Sequence, residues 1–289
     1  LPVVPKDLFM RGIQTSIQAN AHLIPPFGTG MKLYVRPLLF GSGQQLGLHP
    51  SPEFSLVFFC SPTGSYFSGS GLNLHLETKR CRAARGGVGS VKCSGNYAVA
   101  LNPLMNAKKQ GYQDNLYLEL ETYHEGEIGK ALLQEMSAAN VFLVLKTGEI
   151  VTPSLARGTI LPGVTRESLV TLIQACAEEL HPAMAESTGD SNVAVRVCER
   201  DVLVEEFLFA TEAFCTGTAA EIVPIARLAT GEGEEAFEVN LPNGKSSPGP
   251  VTASLLALLR SVMIGEKRLS GCEGWTRDPF ASPDEFCME

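Results

Sequence analysis

Residues 89–101 read GSVKCSGNYAVAL, with one lysine, Lys92, among small and apolar residues and a tyrosine, Tyr97, five positions on. A lysine amine prefers water. Held in an apolar setting it loses solvation and becomes easier to deprotonate, which suits a nucleophile or a Schiff base. The competing reading is an ordinary lysine in a glycine-rich turn, and on this stretch alone it is the commoner one. What the rest of the chain supplies decides between them.

The 289 residues are 44% hydrophobic and 19% charged, enough for a substantial core in one large domain or two ordinary ones. The net charge of −8 offers no basic surface for nucleic acid. The longest apolar-rich runs, 54–60 and 138–145, are far too short to span a bilayer. Eight cysteines are scattered singly with no CxxC pair, the usage of reduced thiols in an intracellular protein of an organelle or the cytosol. The five histidines (His22, His49, His75, His124, His181) stand far apart with no partner at ligand spacing, so no metal site is expected. The chain begins LPVVPKDLFM, with no initiator methionine, signal peptide or transit segment, which reads as a chain cut at its N-terminus.

Apolar spacing predicts a helix over 7–23, then strands over 31–40 and 53–60. The stretch SPTGSYFSGSG (61–71) reads as flexible, and it divides the chain into a domain over 1–65, a linker over 66–71 and a larger domain over 72–270. Within the larger domain, 72–77 and 116–123 alternate like strands, and 96–110 reads as a helix that Pro103 should kink or end. Strands 140–146 and 149–152 flank a Thr147-Gly148 turn. Residues 165–180 form the strongest helical pattern, 202–210 a short helix, 214–225 starts as a strand and passes through the small-residue stretch GTAAE, and 250–263 is a helix opened by Pro250. Residues 271–289 read as a loose tail. Mixed helices and hairpin-type strands predict an α+β fold.

Four further stretches carry chemistry. ILPGVTRESL (160–169) runs a Pro-Gly turn into a helix start, a natural phosphate site, although Thr165 as a plain N-cap explains it too. CTGTAAE (215–221) offers small residues, Gly217 among them, that let backbone amides approach an anion, with Thr216 or Thr218 adding a hydroxyl. QEMSAANVF (134–142) places Glu135 ahead of a buried strand, where a carboxylate could partner a protonated ring nitrogen. KLYVRPLLFGSG (32–43) puts Tyr34 and Arg36 on one strand face, and arginine there suits a carboxylate. A lysine, two phosphate cups, an acid and a carboxylate clamp are the parts of a pyridoxal-phosphate enzyme.

Taken in order, LYVRPLLFGSG (33–43), RAARGGVGSVKCSGNYA (82–98), GTILPGVTR (158–166) and FCTGTAAEIVPI (214–225) resemble the branched-chain amino-acid aminotransferases of the fold-type IV pyridoxal-phosphate class, over most of residues 7–265. The resemblance implies a small α/β domain, truncated here, and a larger domain built on a pseudo-barrel of mostly antiparallel strands. It assigns Lys92 as the Schiff-base lysine and Tyr97 to the cofactor's phenolic oxygen. Glu135, with Asn140 nearby, falls to the pyridine nitrogen, and Arg82 to an arginine near the cofactor. Val164, Thr165, Gly217 and Thr218 fall to the phosphate, and Tyr34, Arg36 and the Thr218–Ala219 backbone to the substrate carboxylate. It implies amino transfer between leucine, isoleucine or valine and 2-oxoglutarate, by a homodimer.

This sequence also departs from the family pattern. The segment that in relatives precedes residue 1, with a phosphate-clamping arginine and pocket aromatics, is not in this sequence. Ala220 and Val223 stand where some animal members carry a cysteine pair, so no redox switch is expected there. The alternatives are a catalytically silent relative, or a D-amino-acid aminotransferase or aminodeoxychorismate-lyase type.

Overall fold

The computed structural model describes residues 1–64, 71–231, 235–242, 248–282, 284 and 286. They fall into two compact units, Leu1–Tyr66 with Cys272–Glu289, and Phe67–Gly271. The expected linker over 66–71 lies outside the described residues except for Gly71.

In the first unit, helix α1 (Lys6–Ala19) precedes an antiparallel pair, β1 (Lys32–Gly41) and β2 (Phe54–Thr63). Side chains alternate across a strand, so one face of the pair meets α1. There the Phe9 and Phe58 rings lie 5.7 Å apart and Ser16 Oγ is 3.1 Å from Cys60 Sγ. Tyr34 and Arg36 stand on the other face, opposite Ser61 and Phe59. The segment read as a loose tail packs on α1 instead. Gln14 Nε2 donates to Ala281 O and Gln18 Nε2 to Pro279 O, both at 2.9 Å, and Phe286 is buried. Paired carbonyls and a buried ring order a segment whose polar composition gave no such sign.

The second unit begins with β3 (Leu72–Glu77), α2 (Ser94–Lys109), β4 (Asp114–Leu118) and β5 (Leu133–Met136). The hairpin β6 (Asn140–Leu145) and β7 (Glu149–Pro153) follows, then α3 (Val164–Ala175), α4 (Ala177–Thr188) and β8 (Arg196–Arg200). The hairpin β9 (Ala210–Gly217) and β10 (Glu221–Ala229), short β11 (Glu238–Asn240) and α5 (Pro250–Met263) complete it. One curled sheet runs β5-β4-β3-β10-β9-β6-β7-β8, with β11 on β10. Its pairs are mostly antiparallel, but β3 pairs parallel to both β10 and β4, and β7 parallel to β8. Leu74, Leu76, Leu116, Leu118, Val141 and Leu143 fill the core. Each such buried side chain contributes roughly 2 kcal/mol. No helix among the described residues is long and apolar enough to cross a membrane.

Three expectations need correction. Of the two outcomes expected at Pro103, an end to the first part of the helix does not occur; α2 runs on to Lys109 much as the 96–110 pattern says, with Pro103 buried inside it. The strand read over 116–123 stops at Leu118, because the chain turns into a 3-10 segment (Leu120–Thr122) whose Thr122 Oγ1 donates to Glu119 O at 2.7 Å. The helical pattern over 165–180 is two helices, α3 and α4, parted at Cys176 (φ −122°, ψ 26°). A break one residue long hardly disturbs the apolar period, so the sequence hides it.

Glu212 of β9 locks α5 in place. Its buried carboxylate accepts from Val251 N (3.0 Å), Thr252 N (2.9 Å) and Thr252 Oγ1 (2.7 Å), satisfying donors that a helix start leaves open. Glu212→Ala is therefore expected to lower unfolding stability by about 2–3 kcal/mol in urea melts, the worth of lost hydrogen bonds to a charged group. A loss within error would show that the cap carries no stability.

Candidate active site

The loop that carries Lys92 has no regular structure, so side chains must satisfy its backbone. Asn96, 2% exposed, donates from Nδ2 to Gly89 O (2.9 Å) and Val91 O (3.0 Å). Its Oδ1 and backbone carbonyl accept from the Arg82 guanidinium. Gln134 Nε2 donates to Ala83 O at 2.9 Å, and Arg85 Nε to Glu119 Oε1 at 3.2 Å. Gly89 must be glycine here, since a Cβ would lie 2.6 Å from Thr159 O.

Lys92 rises from this frame. Its Nζ donates to Tyr97 OH at 3.1 Å, and Arg82 Cζ lies 5.4 Å from the Tyr97 ring centre. The Lys92 side chain is exposed, which corrects the expectation of a tight, partly dry setting. Its apolar neighbours Val91 and Val99 are themselves half exposed, at 50% and 52%, and do not enclose it.

Glu135, on β5, is 2% exposed. Leu161 N donates to Oε1 at 3.3 Å, Asn140 Nδ2 donates to Oε2 at 3.2 Å, and Arg82 Nη2 is 3.7 Å from Oε1. Burial pushes the Glu135 carboxyl up to about 8, against the pull of the Arg82 charge, the Leu161 N–H and the Lys92 charge. Desolvation wins because Arg82 stands too far for a charge-assisted hydrogen bond and spends its other donors on Asn96 and Ser137 O (3.1 Å). A cation placed against Glu135 would restore the carboxylate.

Asn140 also links the turn ahead of α3 to the β9–β10 hairpin. Its Nδ2 donates to Leu161 O at 3.0 Å, and it sits opposite Thr216 in the β6–β9 register. Gly163 fits against it only because it lacks a Cβ, which would lie 2.2 Å from Asn140 Oδ1. Gly163, not Thr165, is the N-cap of α3, and no side chain caps the helix. The Val164 and Thr165 N–H groups thus have no intrahelical partner. Thr218, Ala219 and Ala220 form the turn between β9 and β10, with Thr218 and Ala219 exposed beside Gly217. Thr216 Oγ1 is buried and, among the described residues, has no hydrogen-bond partner.

The second unit thus brings Arg82, Lys92, Tyr97, Glu135, Asn140, Val164, Thr165, Gly217 and Thr218 onto one connected frame. Tyr34 and Arg36 belong to the first unit, where the Arg36 guanidinium lies 5.0 Å over the Tyr34 ring. Sequence reading missed Asn96 and Gln134, whose roles are visible only as contacts. Asn96 alone carried a signal, as the residue between Gly95 and Tyr97.

A family model described as amino-transferase class IV matches residues 3–228. The chain is 37% identical over 267 residues to the chloroplastic branched-chain amino acid aminotransferase 2 of Humulus lupulus, covering 92% of this chain and 57% of that protein. It is also 37% identical over 277 residues to a methionine aminotransferase of Arabidopsis thaliana, covering 96% and 68%. The chain therefore spans little more than half the length of its Humulus lupulus relative. Among solved structures, the branched-chain amino acid aminotransferase of Escherichia coli superposes with a TM-score of 0.69 at 24% identity, covering 95% of this chain and 76% of that one. The branched-chain amino acid aminotransferase of Thermobaculum terrenum, in its PLP-form, gives 0.59 at 23%, covering 91% and 79%. At these identities the structures show a shared fold.

Proposed function

The chain belongs to the class IV aminotransferases, and we propose that it moves the α-amino group of a branched-chain L-amino acid (leucine, isoleucine or valine) to 2-oxoglutarate with pyridoxal 5'-phosphate as cofactor. The observation that carries this reading is the Lys92 Nζ–Tyr97 OH contact at 3.1 Å, joined through Arg82 to the buried Glu135. The residues fit the cofactor. An amine, a buried acid, an uncapped helix start and the unpartnered Thr216 hydroxyl match its aldehyde, ring nitrogen and phosphate.

When bound, the cofactor supplies an electron-accepting ring that stabilises charge at the substrate Cα. Lys92 Nζ would hold its aldehyde end and, once the substrate amine has displaced it there, would move the proton at the substrate Cα. Tyr97 OH orients that amine. Glu135 balances the charge of the ring nitrogen, and Asn140 and Arg82 hold Glu135 in place. The N–H groups of Val164, Thr165, Gly217 and Thr218 bind the phosphate. The Thr218–Ala219 backbone receives the substrate carboxylate. This reading expects a homodimer.

Glutamate formation from 2-oxoglutarate, with L-leucine, L-methionine or D-alanine as donor, tests the proposal. L-leucine should exceed D-alanine by at least about a hundredfold in kcat/KM, the discrimination open to a chiral site with an apolar pocket. A preference for D-alanine, or no transfer by a folded, cofactor-loaded chain, would refute it.

A further inference from the structure

Among the described residues, Glu221 alone has a left-handed backbone without being glycine, with φ 56°. It closes the turn Thr218–Ala220 and pairs with Gly217 across the β9–β10 hairpin. After a three-residue hairpin turn this position ordinarily falls to glycine or asparagine, because a Cβ crowds the following carbonyl. Something must hold a glutamate there.

The holder is Arg260 on α5, whose Nε and Nη2 donate to Glu221 Oε2 at 2.9 and 2.7 Å. Glu221 is 6% exposed, so its half of the pair is shielded from solvent. Helix α5 is fixed at its other end by Glu212, five residues before Gly217 on β9. The helix is thus tied to the hairpin at two points, one on each strand, and the turn lies between them.

We propose that the Arg260–Glu221 pair is a positioning device that sets the Gly217 and Thr218 N–H groups at the angle an anionic ligand needs. The inference rests on the aminotransferase reading for the identity of the anion, the cofactor phosphate. Neither residue touches the ligand. If Glu221 relaxed to a negative φ, the turn would re-form with its amides aimed elsewhere.

Amide hydrogen exchange on the full chain, without cofactor, tests the device directly. Arg260→Met keeps the helix and the aliphatic stem but removes both donors. Exchange over 216–221 should then rise about tenfold or more, the worth of a charge-assisted pair, with β3 and β4 unchanged. The preference for pyridoxal phosphate over pyridoxal should fall about tenfold in Arg260→Met and in Glu221→Ala. Glu221→Gly, which takes φ 56° freely, should keep most of that preference. Unchanged exchange at 216–221, or a uniform rise across the second unit, overturns the proposal. So does faster exchange with an unchanged phosphate preference. A parent chain that binds neither form refutes the aminotransferase reading instead, and the exchange result still judges the pair.

Discussion

Lys92→Ala is expected to lower the rate of amino transfer by roughly 10²- to 10⁴-fold, the range for removing a positioned acid/base, and to abolish covalent capture of pyridoxal phosphate. The fold should survive. The Lys92 side chain is exposed and makes one hydrogen bond, to Tyr97 OH. Exposed positions of this kind change stability by about 0.5 kcal/mol or less. Stopped-assay rates beside thermal melts separate the two effects. A variant that unfolds would make Lys92 a structural residue. One that retains full activity would place the chemistry elsewhere.

The second large effect is expected at Glu135. Glu135→Gln keeps the shape and the bond from Leu161 N but removes the charge that a cationic ring nitrogen needs. Transfer should slow by about 10²- to 10³-fold, as when one preorganised electrostatic group is lost. Without cofactor, the same variant reports on burial. The Glu135 carboxyl is held up at about 8 in the folded chain, from an ordinary 4.5. Between those values the native state keeps a proton that the unfolded state releases. Unfolding free energy therefore falls as pH rises through that window. Urea melts at about pH 5 and about pH 8.5, either side of most of that window, should show the parent losing more stability than Glu135→Gln. Equal losses would mean that Glu135 titrates normally.

Much of this was legible in the sequence. α5 opens at Pro250, whose fixed φ suits a first turn, and the β6–β7 hairpin turns at Thr147-Gly148, as the pattern says. Both features are local. The parting of α3 from α4 was not legible, because Cys176 looks like any other buried position in the apolar period. Strands β5 and β11, of four and three residues, are too short for alternation to register, and the polar β8 belongs to the sheet only through its parallel partner β7. The lysine, the acid and the two turns were named because each sits in a short stretch with its own chemistry. Their frame was not legible. Asn96 joins Gly89 to Arg82, and Asn140 joins Glu135 to Leu161, across gaps that no local pattern spans. The exposure of Lys92 was misread for the same reason: apolar neighbours in sequence need not surround a side chain in space.

The central claim is that Lys92 is the amine that captures the cofactor aldehyde in a frame set by Tyr97, Arg82 and Glu135. Borohydride reduction of the chain with pyridoxal phosphate, followed by peptide mass spectrometry, tests it most directly. A pyridoxyl group concentrated on Lys92 at low, stoichiometric cofactor, and lost in Lys92→Ala, is the predicted result. Labelling spread over surface lysines such as Lys108 and Lys109, with Lys92 no more reactive than they are, would contradict it.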